Sequence, residues 1–212
     1  MTDSNLTHLV LVLDRSGSMA EGGKATEAEK GVRALVDEQK ALPGRLEVTV
    51  ARFDDKYELV AASQVPDALH ANDLSIEPRG MTALYDAVGR TVASVGTELA
   101  TRPDGERPGR VIVLVATDGL ENASREFTAD RLRKVIDEQT ASYGWEFMFM
   151  GTSQEALLQA AAAGFAAKTS FATTDSAQGI SSSYAVASST MTRARSTGGK
   201  VEVDDDDRSK LQ

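Results

Sequence analysis

Asp14-Arg15-Ser16-Gly17-Ser18-Met19 sets one carboxylate and two hydroxyls at alternate positions, just past an apolar run. Two further stretches offer the same kind of donor: Thr82 in Gly80-Met81-Thr82, and Asp118 in Thr117-Asp118-Gly119. Two carboxylates and three hydroxyls make a hard-oxygen set, suited to Mg²⁺, with Mn²⁺ and Ca²⁺ as alternatives. The two aspartates balance a 2+ charge, while neutral hydroxyls leave the ion Lewis-acidic with a coordination position open. An external carboxylate is the natural sixth ligand. Asp-x-Ser-x-Ser is short enough to arise by chance, so its meaning depends on where the chain places it.

The elements supply that placement. Leu9-Val10-Leu11-Val12-Leu13 and Val111-Ile112-Val113-Leu114-Val115-Ala116 are continuous aliphatic runs, the pattern of strands buried on both faces of a parallel sheet. Each ends at one of the two aspartates. A helix is predicted over 24–42, stopped by Pro43-Gly44, and the strand 46–53 turns through Asp54-Asp55 into a short arm at 57–61. That hairpin puts one antiparallel strand at the sheet edge, with Asp54 and Asp55 as turn formers. Residues 65–80, bracketed by Pro66 and Pro78, read as irregular with one helical turn near 68–74. Helical spacing then predicts helices over 82–100, 128–141, 154–163 and 175–195, with strands at 145–150 and 168–172 between them. Thr82 falls in the first turn of its helix, and Asp175 or Ser176 caps the last one.

Strands alternating with helices imply an α/β fold: a doubly wound, mostly parallel six-stranded sheet with one antiparallel edge strand and helices on both faces. The simplest order sets the first strand beside the fourth. Asp14 and Asp118 then end neighbouring strands where the strand order reverses, the place at which open α/β sheets bind ligands.

Composition narrows the function. The 212 residues contain no cysteine and two histidines, His8 and His70, which removes thiolate nucleophiles and cysteine zinc sites. A formal charge of −9 argues against nucleic-acid binding. No apolar stretch is long enough to span a bilayer and the first residues lack the pattern of a signal peptide, so a cytoplasmic location and no membrane role are expected. Residues 199–212, with Asp204 to Asp207 in a row, read as a solvated, disordered acidic tail; they lack the Gly turn and terminal Glu of a calcium loop. Residues 6–198 are then the folded domain.

The motif residues resemble the metal-ion-dependent adhesion site of von Willebrand factor A domains. Asp14, Ser16, Ser18, Thr82 and Asp118 occupy all five positions in order, and the likeness covers nearly the whole chain. It implies a Rossmann-like fold. By similarity, Ser16, Ser18 and Thr82 would coordinate the ion, with Asp14 and Asp118 acting directly or through water. Thr82 and Asp118 would exchange direct and water-mediated roles as a partner's Asp or Glu completes the shell. The chain resembles the compact intracellular bacterial and phage-type members more than extracellular adhesins, and many intracellular relatives work beside an AAA+ ATPase of the MoxR or chelatase type. Glu121 and Asn122, just after Asp118, are read either as residues that orient bound waters or as ordinary surface polarity.

The implied function is a non-catalytic module that grips a partner's acidic side chain through the ion. Two alternatives stand beside it. A haloacid-dehalogenase-like phosphatase also starts with Asp after a first strand, but needs a second Asp where Ser16 stands, and no general base replaces it. A structural subunit would join copies through the Ile180–Met191 helix face or the tail, though such an apolar stripe is usually core. Gly22-Gly23-Lys24 lacks the spacing of a phosphate-binding loop.

Overall fold

The first strand, β1 (Asp3–Asp14), is the centre of the molecule. Its side chains alternate between two cores because successive residues point to opposite sheet faces. Leu9, Leu11 and Leu13 enter one core, Val10 and Val12 the other, and all five are at most 1% exposed. Full burial of each contributes about 1.5–3 kcal/mol, which is why this run can only be a central strand.

The computed structural model describes residues 2–211. After β1 come α1 (Lys24–Lys40), β2 (Arg45–Phe53), β3 (Tyr57–Gln64), α2 (Leu84–Thr101), β4 (Pro108–Ala116), α3 (Ala129–Tyr143), β5 (Glu146–Gly151), α4 (Gln154–Ala162), β6 (Ser170–Ala172), α5 (Ala177–Thr197) and α6 (Asp205–Ser209). The six strands lie in the order β3-β2-β1-β4-β5-β6. All neighbours are parallel except the β2–β3 hairpin at one edge. Helices α1 and α5 cover the leucine face of β1, and α2, α3 and α4 the valine face. This is the doubly wound architecture the sequence predicts, with β1 beside β4.

Three helices carry the caps their sequences suggest. Thr128, Ser153 and Ser176 accept backbone N–H groups of α3, α4 and α5, which decides for Ser176 over Asp175. Helix α2 differs. It begins at Leu84 with no side-chain cap of its own, and Thr82 precedes it rather than sitting in its first turn. The caps come from a distant loop: Glu121 accepts from the Tyr85 N–H at 2.9 Å and Ser124 from the Asp86 N–H at 3.0 Å. The irregular stretch holds two 3₁₀ turns, Pro66–Ala68 and Ala71–Leu74, where one turn is expected.

The expected disordered tail is instead packed. Val201, Val203 and Leu211 are buried in the α1–α5 core. The run of aspartates is the start of α6: Asp204 accepts from the Asp207 N–H at 2.8 Å, and Asp207 accepts in return from the Asp204 N–H. Acidic side chains in a first turn favour the helix dipole, and Asp207 is further held by Arg193 at 2.7 Å and Thr190 at 3.1 Å on α5. The folded unit therefore runs beyond 198.

Candidate metal centre

The carboxyl ends of β1 and β4 lie side by side where the chain leaves β1 toward β2 on one side and β4 toward β5 on the other. Asp14 is the last residue of β1 and its side chain is buried. One oxygen accepts from the Ser16 N–H at 2.6 Å and the other from the Thr117 hydroxyl at 2.5 Å. Both donors are neutral. Burial therefore dominates and pushes the Asp14 carboxyl up to about 6, against the pull of those two bonds and with a small addition from Asp118. A cation nearby would relieve that cost.

From Asp14 the polar groups continue in a chain. The Ser16 and Ser18 hydroxyls lie 3.1 Å apart, and the Ser18 hydroxyl donates to Asp118 Oδ1 at 2.7 Å. Thr82 and Ser16 converge over Gly119, where a Cβ would sit 2.8 Å from Thr82 Oγ1 and 3.5 Å from Ser16 Oγ. Gly119 is thus the residue that lets the Thr82 hydroxyl close on the other donors. All five residues singled out by sequence come together here.

Gly17 serves the site through its backbone. Its backbone is not in the left-handed region; its value is close approach, since its N–H donates to the Gly80 carbonyl at 3.2 Å. That bond ties the serine loop to the segment that carries Thr82.

Among the described residues, no group of three or more His, Cys, Asp or Glu side chains converges in a way that could hold a metal. An ion here would rely on two carboxylates and on hydroxyls for the rest of its shell. The donor set fits a hard divalent cation in charge and atom type, and Asp118 Oδ2 is a buried oxygen without a hydrogen-bond donor in good geometry. The Lys24 ammonium lies 2.5 Å from it and also contacts Asp175 at 2.9 Å. Burial alone would pull Lys24 down, but Asp118 and Asp175 outweigh it and hold the ammonium above its ordinary value. Behind the centre, a cavity of about 20 Å³ is lined by Asp14, Asp118, Ile180, Ser183 and Tyr184. Burial, then the Asp14 charge, push the Tyr184 hydroxyl upward, so it stays neutral.

Several supports were invisible to the motif. Asn122 accepts from the Thr82 N–H at 2.9 Å, and the Asn122 and Ala123 N–H groups donate back to the Thr82 carbonyl. Glu121 accepts from the N–H groups of Tyr85, Ala123 and Ser124 and from the Ser124 hydroxyl. Both side chains are therefore committed to holding backbone, in place of the two roles weighed from sequence. Asp86 performs the same task from α2, accepting from the N–H groups of Arg125, Glu126 and Phe127. Arg15 turns away from the serines to pair with Asp54 at 2.9 Å and Glu58 at 2.5 Å. Asp54 also accepts from the Lys56 N–H at 2.7 Å, the turn role expected of it, and from Arg79 at 2.8 Å.

No family model and no curated protein sequence matches the chain. Solved structures do. A von Willebrand factor type A protein from Catenulispora acidiphila aligns with a TM-score of 0.61 at 16% identity, over 90% of this chain and 43% of that one. The chain has a von Willebrand factor A fold. The same fold relates it to proximal thread matrix protein 1 of the mussel byssus with a zinc-occupied MIDAS motif, with a TM-score of 0.62 and 15% identity over 91% of this chain and 45% of that one. Manganese-loaded TRAP of Plasmodium vivax aligns less fully, with a TM-score of 0.52 and 15% identity over 74% and 63%. The chain thus spans roughly half to two thirds of the proteins it matches, and at these identities the likeness is one of fold.

Proposed function

We propose that this chain is a non-catalytic, divalent-cation-dependent protein-binding module of the cytoplasm. It captures an Asp or Glu side chain of a partner protein through an ion held by Asp14, Ser16, Ser18, Thr82 and Asp118. The observation that carries the reading is the convergence of those five residues from three separate segments at the β1–β4 crevice, with a buried Asp14 that only neutral groups contact. When bound, the ion supplies a Lewis-acidic position to a carboxylate; Mg²⁺ is the first candidate, and zinc and manganese in the structural neighbours' sites support a divalent ion.

The chain's own residues do the rest. Asp14 and Asp118 bring the charge, the hydroxyls bring neutral oxygens, and the Glu121–Asn122 loop fixes where Thr82 stands. Met81, 53% exposed, and Leu120, 41% exposed, flank Thr82 and Asp118, giving a partner apolar surface to cover beside the ion. An AAA+ ATPase is the partner class to test first. Neither histidine stands at the centre: His8 is buried against Thr49, and His70 precedes the Ala71–Leu74 turn. That supports a non-catalytic role over a phosphatase. The structural-subunit reading loses the α5 face, because Ile180, Tyr184, Ala187 and Met191 are buried in the chain's own core.

Melting and titration calorimetry with Mg²⁺, Mn²⁺ and Ca²⁺ test the reading on wild type and Asp14→Asn. A ligand at a hundred times its Kd stabilises by about 2.7 kcal/mol, a shift that should be seen in wild type alone. Capture of partner proteins should then occur in Mg²⁺ and fail in EDTA. No cation response in the wild type, with or without an acidic peptide, would overturn the proposal.

A further inference from the structure

Lys24 is the first residue of α1, yet it is only 3% exposed. A lysine at a helix N-terminus faces the positive end of the helix dipole, and burying its ammonium costs more still. Something must compensate. The ammonium is 2.5 Å from Asp118 Oδ2 and 2.9 Å from Asp175 Oδ1. Asp118 Oδ1 is already taken by Ser18, so Oδ2 is the oxygen left for a cation of any kind.

The turn before Lys24 is built to aim it there. Gly22 and Gly23 have φ of +58° and +80°, a conformation that side chains resist, and nothing stands within 4 Å of where their Cβ atoms would be. The glycines are therefore required by backbone geometry and by no steric neighbour. They turn the chain so that α1 starts with Lys24 inward. Asp175, just before α5, has a side chain 54% exposed, so it can keep an ammonium partner at little cost in desolvation.

We propose that Lys24 is a tethered counter-cation that competes with a divalent ion for Asp118, with Asp175 as the carboxylate that retains the ammonium when the ion takes Asp118. This rests on the metal-binding reading above and adds to it a residue that sets affinity. With Lys24 in place the centre carries one net negative charge in place of the two of Asp14 and Asp118, so it holds cations less tightly than its donor set alone would. Asp175 tunes the competition by offering Lys24 a second home.

The test is titration calorimetry with Mn²⁺ and with Mg²⁺ on wild type, Lys24→Met, Asp175→Asn and the double variant, with melting curves in EDTA alongside. Lys24→Met keeps the length and removes the charge, and should tighten binding at least ~10-fold, because two like charges no longer share one carboxylate. Asp175→Asn should weaken binding several-fold, and the double variant should match Lys24→Met. Unchanged affinity in Lys24→Met, with a lower melting temperature in EDTA, would make Lys24 a purely structural ion-pair partner and overturn the inference alone. If Lys24→Met does not fold, Asp175→Asn decides: equal or tighter binding overturns it. No binding in any of the four overturns the metal reading and this inference together.

Discussion

Two corners of the same sheet edge bury aspartates in opposite ways. At the end of β2, Asp54 receives two guanidinium groups, from Arg15 and Arg79, and the Lys56 amide. Burial alone would raise its carboxyl, but Arg79, the Lys56 amide and Arg15 outweigh burial and hold it below the ordinary range. At the end of β1, Asp14 receives only a hydroxyl and an amide, and its carboxyl rises to about 6. The first corner is electrostatically complete within the chain. The second is left short of positive charge, as the cation site proposed above requires.

The strongest way to break this comparison is to unpair the complete corner. Asp54→Ala leaves the buried Arg15 without its main partner and should cost about 3–5 kcal/mol in urea unfolding, with or without divalent cation. A smaller loss than for Asp118→Ala would mean that the two corners are not different in kind.

Next is pH, where a third group must be separated first. His8, buried on β1 with one nitrogen against Thr49 at 2.8 Å, is pulled down to about 4, by burial above all and then by the Arg102 charge. The unfolded chain takes up that proton near 6.5, so His8 gives stability that is intact above 6.5 and lost as pH falls toward 4, about 3 kcal/mol in full. Asp14 runs the other way: its raised value means that ionising it costs stability as pH climbs from 3.8 to about 6. In EDTA, His8→Leu should lose most of the fall in stability that the wild type shows between pH 6.5 and 4. The same slope in that variant as in the wild type would refute the assignment to His8.

A smaller effect sharpens the contrast from the other side. Asp14→Asn removes the unneutralised charge and should stabilise the protein in EDTA by about 1–2 kcal/mol at pH 7, while ending the cation response. The same change at Asp54 should destabilise. Smallest of all, Asn122→Ala deprives the Thr82 N–H of its acceptor, costing about 1 kcal/mol and weakening cation binding measured by calorimetry.

The fold was legible because its signals are local. Continuous aliphatic runs mark β1 and β4, Pro43-Gly44 ends α1, and helical spacing marks α2 to α5. The tail was misread because a row of aspartates looks solvated until Val201, Val203 and Leu211 are seen to anchor it; the Asp204–Asp207 spacing of a capping box and the Val-x-Val alternation were the available clues. Thr82 was placed inside α2 because a threonine before an amphipathic run is usually its cap, whereas this helix borrows its caps from Glu121 and Ser124. Nothing in the motif marks Arg15 as an ion-pair residue, because its partners lie 39 and 43 residues away.

By itself, the sequence determined the six strands, the helices α1 to α5 and the five oxygen-bearing residues near the ends of β1 and β4 and the start of α2, since hydrophobic periodicity and short motifs are properties of neighbouring residues. Tertiary structure alone decided which aspartate is neutralised and which is not. Lys24 meets Asp118, and Arg15 and Arg79 meet Asp54, across long stretches of chain. Electrostatic environment depends on distance in space and on burial, and neither can be read along the chain.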